Sequence, residues 1–222
     1  GNDYIKNIFP LIENQDPRSV KGLWKKMTDL VFKEGNEGEK NHAISALDIA
    51  LWDLKAKINQ EPLWKTLGAN TNSVKAYASG IDLCLDNNEI STFYGRMAKS
   101  GIDAGKLKVG LDLESDLERI SIMKESLSIN NNRPHICIDS NEFWSPKQAV
   151  RYINEIETKF DITWAEEPAR RWDYAGLKKV SEGIKAAVAT GENLNSISDF
   201  TPLIKNGGVD IVQVGMNTTG IT

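Results

Sequence analysis

From Ser73 onward the sequence keeps one rhythm. Short apolar runs suited to strands over 74–79, 106–109, 135–139, 162–166, 187–190 and 209–214 alternate with helix-period segments over 88–99, 113–127, 146–156, 174–182 and 198–205. The repeat is roughly 30 residues, the length of one strand plus a crossover helix. Such alternation builds a parallel sheet, because parallel neighbours need a long connection and a helix supplies it. Two architectures satisfy it: a closed (β/α) barrel and an open, doubly wound sheet. The open sheet normally carries a glycine-rich phosphate loop after its first strand, and Ser79-Gly80-Ile81-Asp82 is not one. An open sheet also gathers its site at one switch point, whereas here chemically active residues close four successive strands. The barrel is therefore the expected fold.

The clearest of those strand ends is Thr163-Trp164-Ala165-Glu166-Glu167-Pro168. An apolar run stops at two acids, and Pro168 forbids further ladder pairing while pushing Glu167 out of helical conformation. His135-Ile136-Cys137-Ile138-Asp139 and Ala187-Val188-Ala189-Thr190-Gly191-Glu192 repeat the pattern on either side. One acid at a strand end is usually a helix cap or the partner of a base. Three at successive strand ends form a constellation, and Asp139, Glu166 and Glu192 are hard oxygen donors with no matching cluster of His or Cys. That donor set favours magnesium over zinc. One unit earlier stands Lys106-Leu107-Lys108, whose alternation sends both lysines to one face and Leu107 to the other. Two ammonium groups on one face, near a cation, each oppose the other's charge, so one of them is expected to be neutral near pH 7.

Residues 1–35 have helical tendency. Asp16-Pro17 looks like a cap followed by a first helical position, and Val20, Leu23, Trp24, Met27, Leu30 and Val31 recur on one face. Gly35-Asn36-Glu37-Gly38 is a loop. A second helix over 42–58 is expected to bury Ile44, Leu47, Ala50, Leu51 and Leu54, with His42 as polar surface, and 63–68 reads as a further turn closed by Gly68. The chain has 222 residues, 27 basic and 31 acidic, for a net charge of −4. That near balance leaves no footprint for nucleic acid or an anionic membrane, and no stretch reaches the roughly 18 apolar residues of a membrane span. Cys84 and Cys137 are read as buried thiols in strand-like contexts, which suits a reducing compartment. With no basic and apolar leader over residues 1–4, a cytoplasmic protein is expected.

Taken together, Lys106-x-Lys108, Asp139-Ser140-Asn141, Trp164-x-Glu166-Glu167-Pro168 and Thr190-Gly191-Glu192-Asn193 resemble the successive signatures of the enolase superfamily. More narrowly, they resemble its mandelate racemase/muconate lactonizing enzyme branch. The helix from Ala43 to Leu54 is similar to the one preceding that family's barrel, and the Gly-Glu-Asn form resembles the racemase and acid-sugar dehydratase side. The resemblance implies an α/β fold: an incomplete TIM-type barrel of about six strands over 73–222, preceded over 1–72 by the helical part of an α+β capping domain. It implies Mg2+ held by Asp139, Glu166 and Glu192, with Lys108 as the base that removes a proton α to a carboxylate. Lys106 would bind that carboxylate, and Asn141 would be a polar contact near metal or substrate. Glu167 would be a supporting residue. Enolase-superfamily sites are a known instance of a lysine or histidine base working with magnesium. The metal would stabilise an enediolate.

The expected partners are a small-molecule carboxylate substrate and further copies of the chain, with no nucleic acid and no membrane. Dehydration of a sugar acid is the first expectation for the overall reaction, and racemisation, epimerisation or cycloisomerisation the second. A reading from another class is a remnant that binds magnesium and an acid without turning it over. The pattern departs from the family at Val214-Gly215, where relatives often have Pro-Asp, and the sequence ends at Thr222 before a seventh strand. A piece of a longer protein is expected.

Overall fold

The computed structural model describes residues 2–35, 37–129 and 131–222; Asn36, in the loop expected at 35–38, lies outside the described residues, as do Gly1 and Asn130. Two compact units are present. One comprises Gly1–Val74, Gly191–Thr201 and Val214–Thr222, and the other Lys75–Thr190 and Pro202–Gln213.

The first unit contains helices α1 (Asn2–Ile8), α2 (Val20–Val31), α3 (Glu39–Ile58) and α4 (Leu63–Thr66). Ile8, Ile12, Leu23, Met27, Val31, Ala43 and Ile44 form its apolar core. α2 starts at Val20 rather than just after Asp16. The Asp16 carboxylate is turned instead to the Arg18 backbone N–H and guanidinium, at 3.0 and 2.9 Å. α3 departs further from expectation. Ile44 is buried and Leu47 and Leu51 are half-buried against the core, but Leu54 is 43% exposed and Ala50 is exposed, while Asn41, Ser45, Asp48 and Trp52 are buried. These four lie at i, i+4, i+7 and i+11, one helical stripe, and the stripe is polar because it receives backbone. Ser45 Oγ donates to the Met216 carbonyl at 2.6 Å. Asp48 Oδ2 accepts the N–H groups of Ile221 and Thr222 at 2.7 and 2.8 Å. Trp52 Nε1 donates to Thr222 Oγ1 at 2.9 Å. His42 is exposed, as expected.

The second unit is built on a parallel sheet. Its described strands are β1 (Ala78–Ser79), β2 (Ala104–Lys108), β3 (His135–Asp139), β4 (Ile162–Glu166), β5 (Ala187–Thr190) and β6 (Ile211–Val212). Between them run α5 (Asn87–Lys99), α6 (Leu113–Leu127), α7 (Pro146–Glu157), α8 (Tyr174–Gly183) and α9 (Ile197–Asn206); α10 (Met216–Thr219), which follows β6 in the chain, belongs to the first unit. The spatial strand order is β1-β2-β3-β4-β5-β6, every neighbouring pair parallel. A doubly wound sheet reverses its order at a switch point; this one never does. Sequential order throughout is the order of a TIM-type barrel, and the described strands make the greater part of one.

The helices start where the sequence caps them. Asp86 and Glu89 form a reciprocal capping box at α5. Asp112, Ser145 and Asp173 accept the third helical N–H of α6, α7 and α8. The outward faces of β2, β3 and β5 are closed off, with Leu107, Ile136, Ile138 and Val188 all but excluded from solvent. The edge strands β1 and β6 are shorter than expected, two residues each. Past β1 the chain turns away through Ile81, whose φ is 49°. Cys84 lies in a one-turn 3-10 segment and is exposed, so only Cys137 is the buried strand thiol anticipated for both.

Gly105 marks a close helix–sheet approach. A Cβ there would stand 2.7 Å from Leu127 Cδ1, 2.8 Å from Met123 Sδ and 3.0 Å from Tyr94 Cε1, all on fully buried side chains. Gly105→Ala is expected to destabilise the protein by about 1–3 kcal/mol through overpacking, read as a lower urea midpoint at unchanged slope. A midpoint equal to the parent's would show that α5 and α6 do not lie this close to β2.

Candidate active site at the strand ends

Register decides which side chains meet. Lys106, Cys137, Trp164 and Ala187 are successive pairing partners across β2 to β5, and so, one layer nearer the C-terminal end, are Lys108, Asp139, Glu166 and Ala189. Because strand side chains alternate, both layers project from the same face. Lys106 belongs to the deeper layer, and its four-carbon stem reaches up. Its ammonium lies 3.0 Å from Asp139 Oδ2 and also pairs closely with Glu166 Oε1. Lys108 Nζ lies 2.6 Å from the same Asp139 Oδ2. The remaining oxygens are held too. Asp139 Oδ1 accepts the Asn141 N–H at 2.9 Å, and Glu166 Oε2 accepts from Trp164 Nε1 at 3.1 Å and Gln213 Nε2 at 2.7 Å. Beneath them Tyr77 meets Trp164 edge to face at 5.1 Å and lies 5.7 Å under the Lys106 ammonium.

The electrostatics follow from this packing. Burial works to raise the Asp139 carboxyl, but Lys106, Lys108 and the Asn141 N–H outweigh it and hold the group below the ordinary carboxylate range. Glu166 is pushed up, first by burial and then by the Asp139 charge, against the pull of Lys106. For Lys106, burial favours the neutral amine, yet the two carboxylates prevail and raise it above an ordinary lysine. The charges nearest the Lys106 ammonium are both negative. Burial also raises the Cys137 thiol to about 12, so it is inert as a nucleophile.

Just past the strands the backbone is bent into the left-handed region at Asn141, Glu142 and Glu167, with φ of 44°, 61° and 43°. Cross-strand bonds hold it there. The Glu142 N–H donates to the Glu167 carbonyl at 2.8 Å, and Ser140 Oγ donates to the same carbonyl at 3.0 Å. Asn141 Nδ2 donates to Glu167 Oε2 at 3.1 Å. Arg171 Nε donates to Glu142 Oε1 at 2.6 Å.

Thus Lys106, Lys108, Asp139 and Glu166 form one cluster, and Asn141 adjoins it through the Asp139 carboxylate. Glu192 is half-buried, belongs to the first compact unit, and lies three residues beyond Ala189, the pairing partner of Glu166. Among the described residues no three His, Cys, Asp or Glu side chains are gathered as a metal cage. Asp139 and Glu166 are nonetheless buried, oxygen-only donors that already share one cation, the Lys106 ammonium, which suits a hard divalent ion. Sequence reasoning missed Trp164 and Gln213 as partners of Glu166. Alternation could have found both, since Trp164 shares the face of Glu166 and Gln213 falls in the last strand segment.

Two family models match: residues 89–222 fit the enolase C-terminal domain-like family, and residues 2–68 the mandelate racemase/muconate lactonizing enzyme N-terminal domain. The chain is 33% identical to a 3,6-anhydro-alpha-L-galactonate cycloisomerase from Streptomyces coelicolor, over 97% of its own length and 59% of the relative's. It is 32% identical to the L-talarate/galactarate dehydratase of Salmonella typhimurium, over 95% and 52%. A crystal structure of the L-talarate/galactarate dehydratase from Salmonella typhimurium LT2, liganded with Mg and L-lyxarohydroxamate, superposes with a TM-score of 0.90 at 30% identity, covering 99% of this chain and 56% of that one. The chain thus spans little more than half the length of these relatives. Sequential parallel strands ending in lysines and acids, with both domain models matched in order, establish that this chain belongs to the mandelate racemase/muconate lactonizing enzyme branch of the enolase superfamily.

Proposed function

We propose that the protein is a magnesium-dependent enzyme that removes the proton α to a carboxylate, and that its overall reaction is dehydration of a sugar acid. The observation that carries this reading is the cluster at the ends of β2, β3 and β4: two lysines and two buried carboxylates converging on Asp139 Oδ2 and Glu166 Oε1. The dehydratase outcome is supported by the similarity to the Salmonella enzyme. Isomerisation is the second reading, supported by the similarity to the Streptomyces cycloisomerase. The division into a cap part, 1–72, and a barrel part, 73–222, belongs to the same proposal.

Asp139, Glu166 and Glu192 would hold the magnesium. Bound there, the ion supplies a fixed positive charge opposite the negative charge that develops on the substrate carboxylate. Lys106 adds an ammonium to the same task, donating hydrogen bonds to a carboxylate oxygen. Lys108 lies one layer nearer the strand's end and, in its amine form, accepts the α-proton. The electron pair left behind forms a carbon–carbon double bond as the β C–O bond breaks. The departing hydroxide leaves as water with a proton returned from Lys108. Asn141 is a polar contact at the rim, and its backbone N–H holds Asp139 in place.

Two sets of variants test these assignments in the protein from its complete reading frame. In calorimetric titration with magnesium, Asp139→Asn, Glu166→Gln and Glu192→Gln are each expected to weaken binding by more than about tenfold, since even residues behind the ligands matter by that much. Parent-like affinity in Glu192→Gln would remove it from the ligand set. In deuterium exchange at the α-carbon of galactarate, galactonate, gluconate and arabinonate, Lys108→Ala is expected to lose about 10²–10⁴ in rate while binding magnesium normally. Lys106→Ala is expected to raise KM as well as lower kcat, because it removes a contact present in both ground and transition states. No exchange into any of these acids by the parent would defeat the enzymatic reading.

A further inference from the structure

The end of β2 is held by something other than a strand. In a strand the N–H and C=O of one residue point to the same side, and those of the next residue to the other. On the β3 side the ladder continues past the lysines, with the Val109 N–H donating to the Asp139 carbonyl at 2.9 Å. On the β1 side it stops, because Ser79, paired with Lys106, is the last residue of β1. Three backbone groups of β2 face that vacated edge, and each is met by a side chain. Tyr94 Oη lies 2.6 Å from the Lys106 carbonyl. The Lys108 N–H donates to Asp82 Oδ1 at 2.8 Å. Arg119 Nη1 donates to the Lys108 carbonyl at 2.8 Å.

The three side chains are also locked to each other. Tyr94 Oη bridges to Asp82 Oδ2. Arg119 Nη2 donates to the Asp82 carbonyl at 2.7 Å, and Arg119 Nη1 lies 3.4 Å from Asp116 Oδ1. Asp116 accepts the Gly110 N–H at 2.7 Å, fixing the turn that follows the strand. Asp82 and Tyr94 are fully buried and Arg119 is 7% exposed. The left-handed Ile81 is the turn just past β1 that brings Asp82 onto the open edge of β2. Their common target is not Asp139 or Glu166 but the peptide backbone carrying Lys106 and Lys108.

We propose that Asp82, Tyr94 and Arg119 are positioning residues that replace the missing strand and fix the backbone from which both lysines project. The proposal rests on the reading of Lys108 as the base. A lysine reaches its target through a flexible four-carbon stem, so an origin that shifts with a frayed strand end spoils the approach. A misplacement of about 1 Å can cost roughly 10²-fold in rate.

The test measures amide hydrogen exchange at Lys108 alongside α-proton exchange, in the magnesium-loaded protein from its complete reading frame. The variants are Asp82→Ala, Asp82→Asn and Tyr94→Phe, with Lys108→Ala as reference. Asp82→Ala is expected to lose protection of the Lys108 amide and to drop kcat by roughly 10²-fold, with KM and magnesium affinity close to the parent's. Asp82→Asn, which keeps an oxygen acceptor opposite the Lys108 N–H, is expected to recover most of the protection and most of the rate. Parent-like kcat in Asp82→Ala with an unprotected Lys108 amide, beside an inactive Lys108→Ala, overturns the positioning role and leaves the base assignment standing. Exchange that survives in Lys108→Ala overturns the base assignment and this proposal with it. Should Asp82→Ala fail to fold, Tyr94→Phe, which frees the Lys106 carbonyl, decides: a fall in kcat with a raised KM and parent-like magnesium affinity upholds the proposal, and an unchanged kcat overturns it.

Discussion

Asp139 and Glu166 are each 1% exposed, and the Lys106 ammonium stands between them. Two carboxylates stripped of water at neighbouring strand ends cost several kcal/mol each unless paired and hydrogen-bonded. Much of the second unit can be read as the arrangement that makes them tolerable. The in-phase register of β2, β3 and β4 brings one lysine of each layer to the acids. Trp164 and Gln213 satisfy the oxygen of Glu166 that Lys106 leaves open. A cluster of this kind is weak support for stability, since apolar residues of equal volume often do as well. Its value lies in what it presents: oxygen donors and ammonium groups held dry and in fixed order, where charge acts over short range with little screening.

Strain accompanies that order. Three residues other than glycine, Asn141, Glu142 and Glu167, adopt left-handed backbone within reach of the acids. Each such residue costs on the order of 1–3 kcal/mol and persists only where its surroundings over-determine it. Here they do, because the loops after β3 and β4 bond to one another and the Glu167 N–H donates to Ala189 of β5 at 2.8 Å. Each turn is therefore fixed by the strand that follows it in the sheet, and the carboxylates are aimed by neighbours rather than by their own local sequence.

That dependence marks where the sequence was legible. The alternation of strands and helices, the sequential sheet and the facing of Lys106, Lys108, Asp139 and Glu166 all follow from periodicity, which survives in a single chain. The short edge strands were less legible, because each has one described neighbour and their ends are set by pairing rather than composition. Asp82, Tyr94 and Arg119 left no trace, since a side chain that bonds to a distant peptide group obeys no spacing rule. α3 misled, and for a related reason. Ile44, Leu47 and Leu51 do pack into the core and Leu54 does not, but a second buried stripe went unseen: Asn41, Ser45, Asp48 and Trp52, whose partners come from residues 195 to 222. A hydrophobic pattern cannot foresee a face reserved for peptide groups.

The polar face of α3 also bears on the order of synthesis. Its partners at Ile221 and Thr222 lie 173 and 174 residues downstream of Asp48. At ribosomal speeds of about 5–20 residues per second, the helix waits roughly ten to thirty seconds for them. An apolar stripe left open for that interval would adhere to whatever was near. Asn41, Ser45 and Asp48 are instead content in water, while Ala43 and Ile44 on the other side settle early against α1 and α2. Water is thus a temporary occupant of that face, displaced only when residues 214–222 emerge and join the first unit.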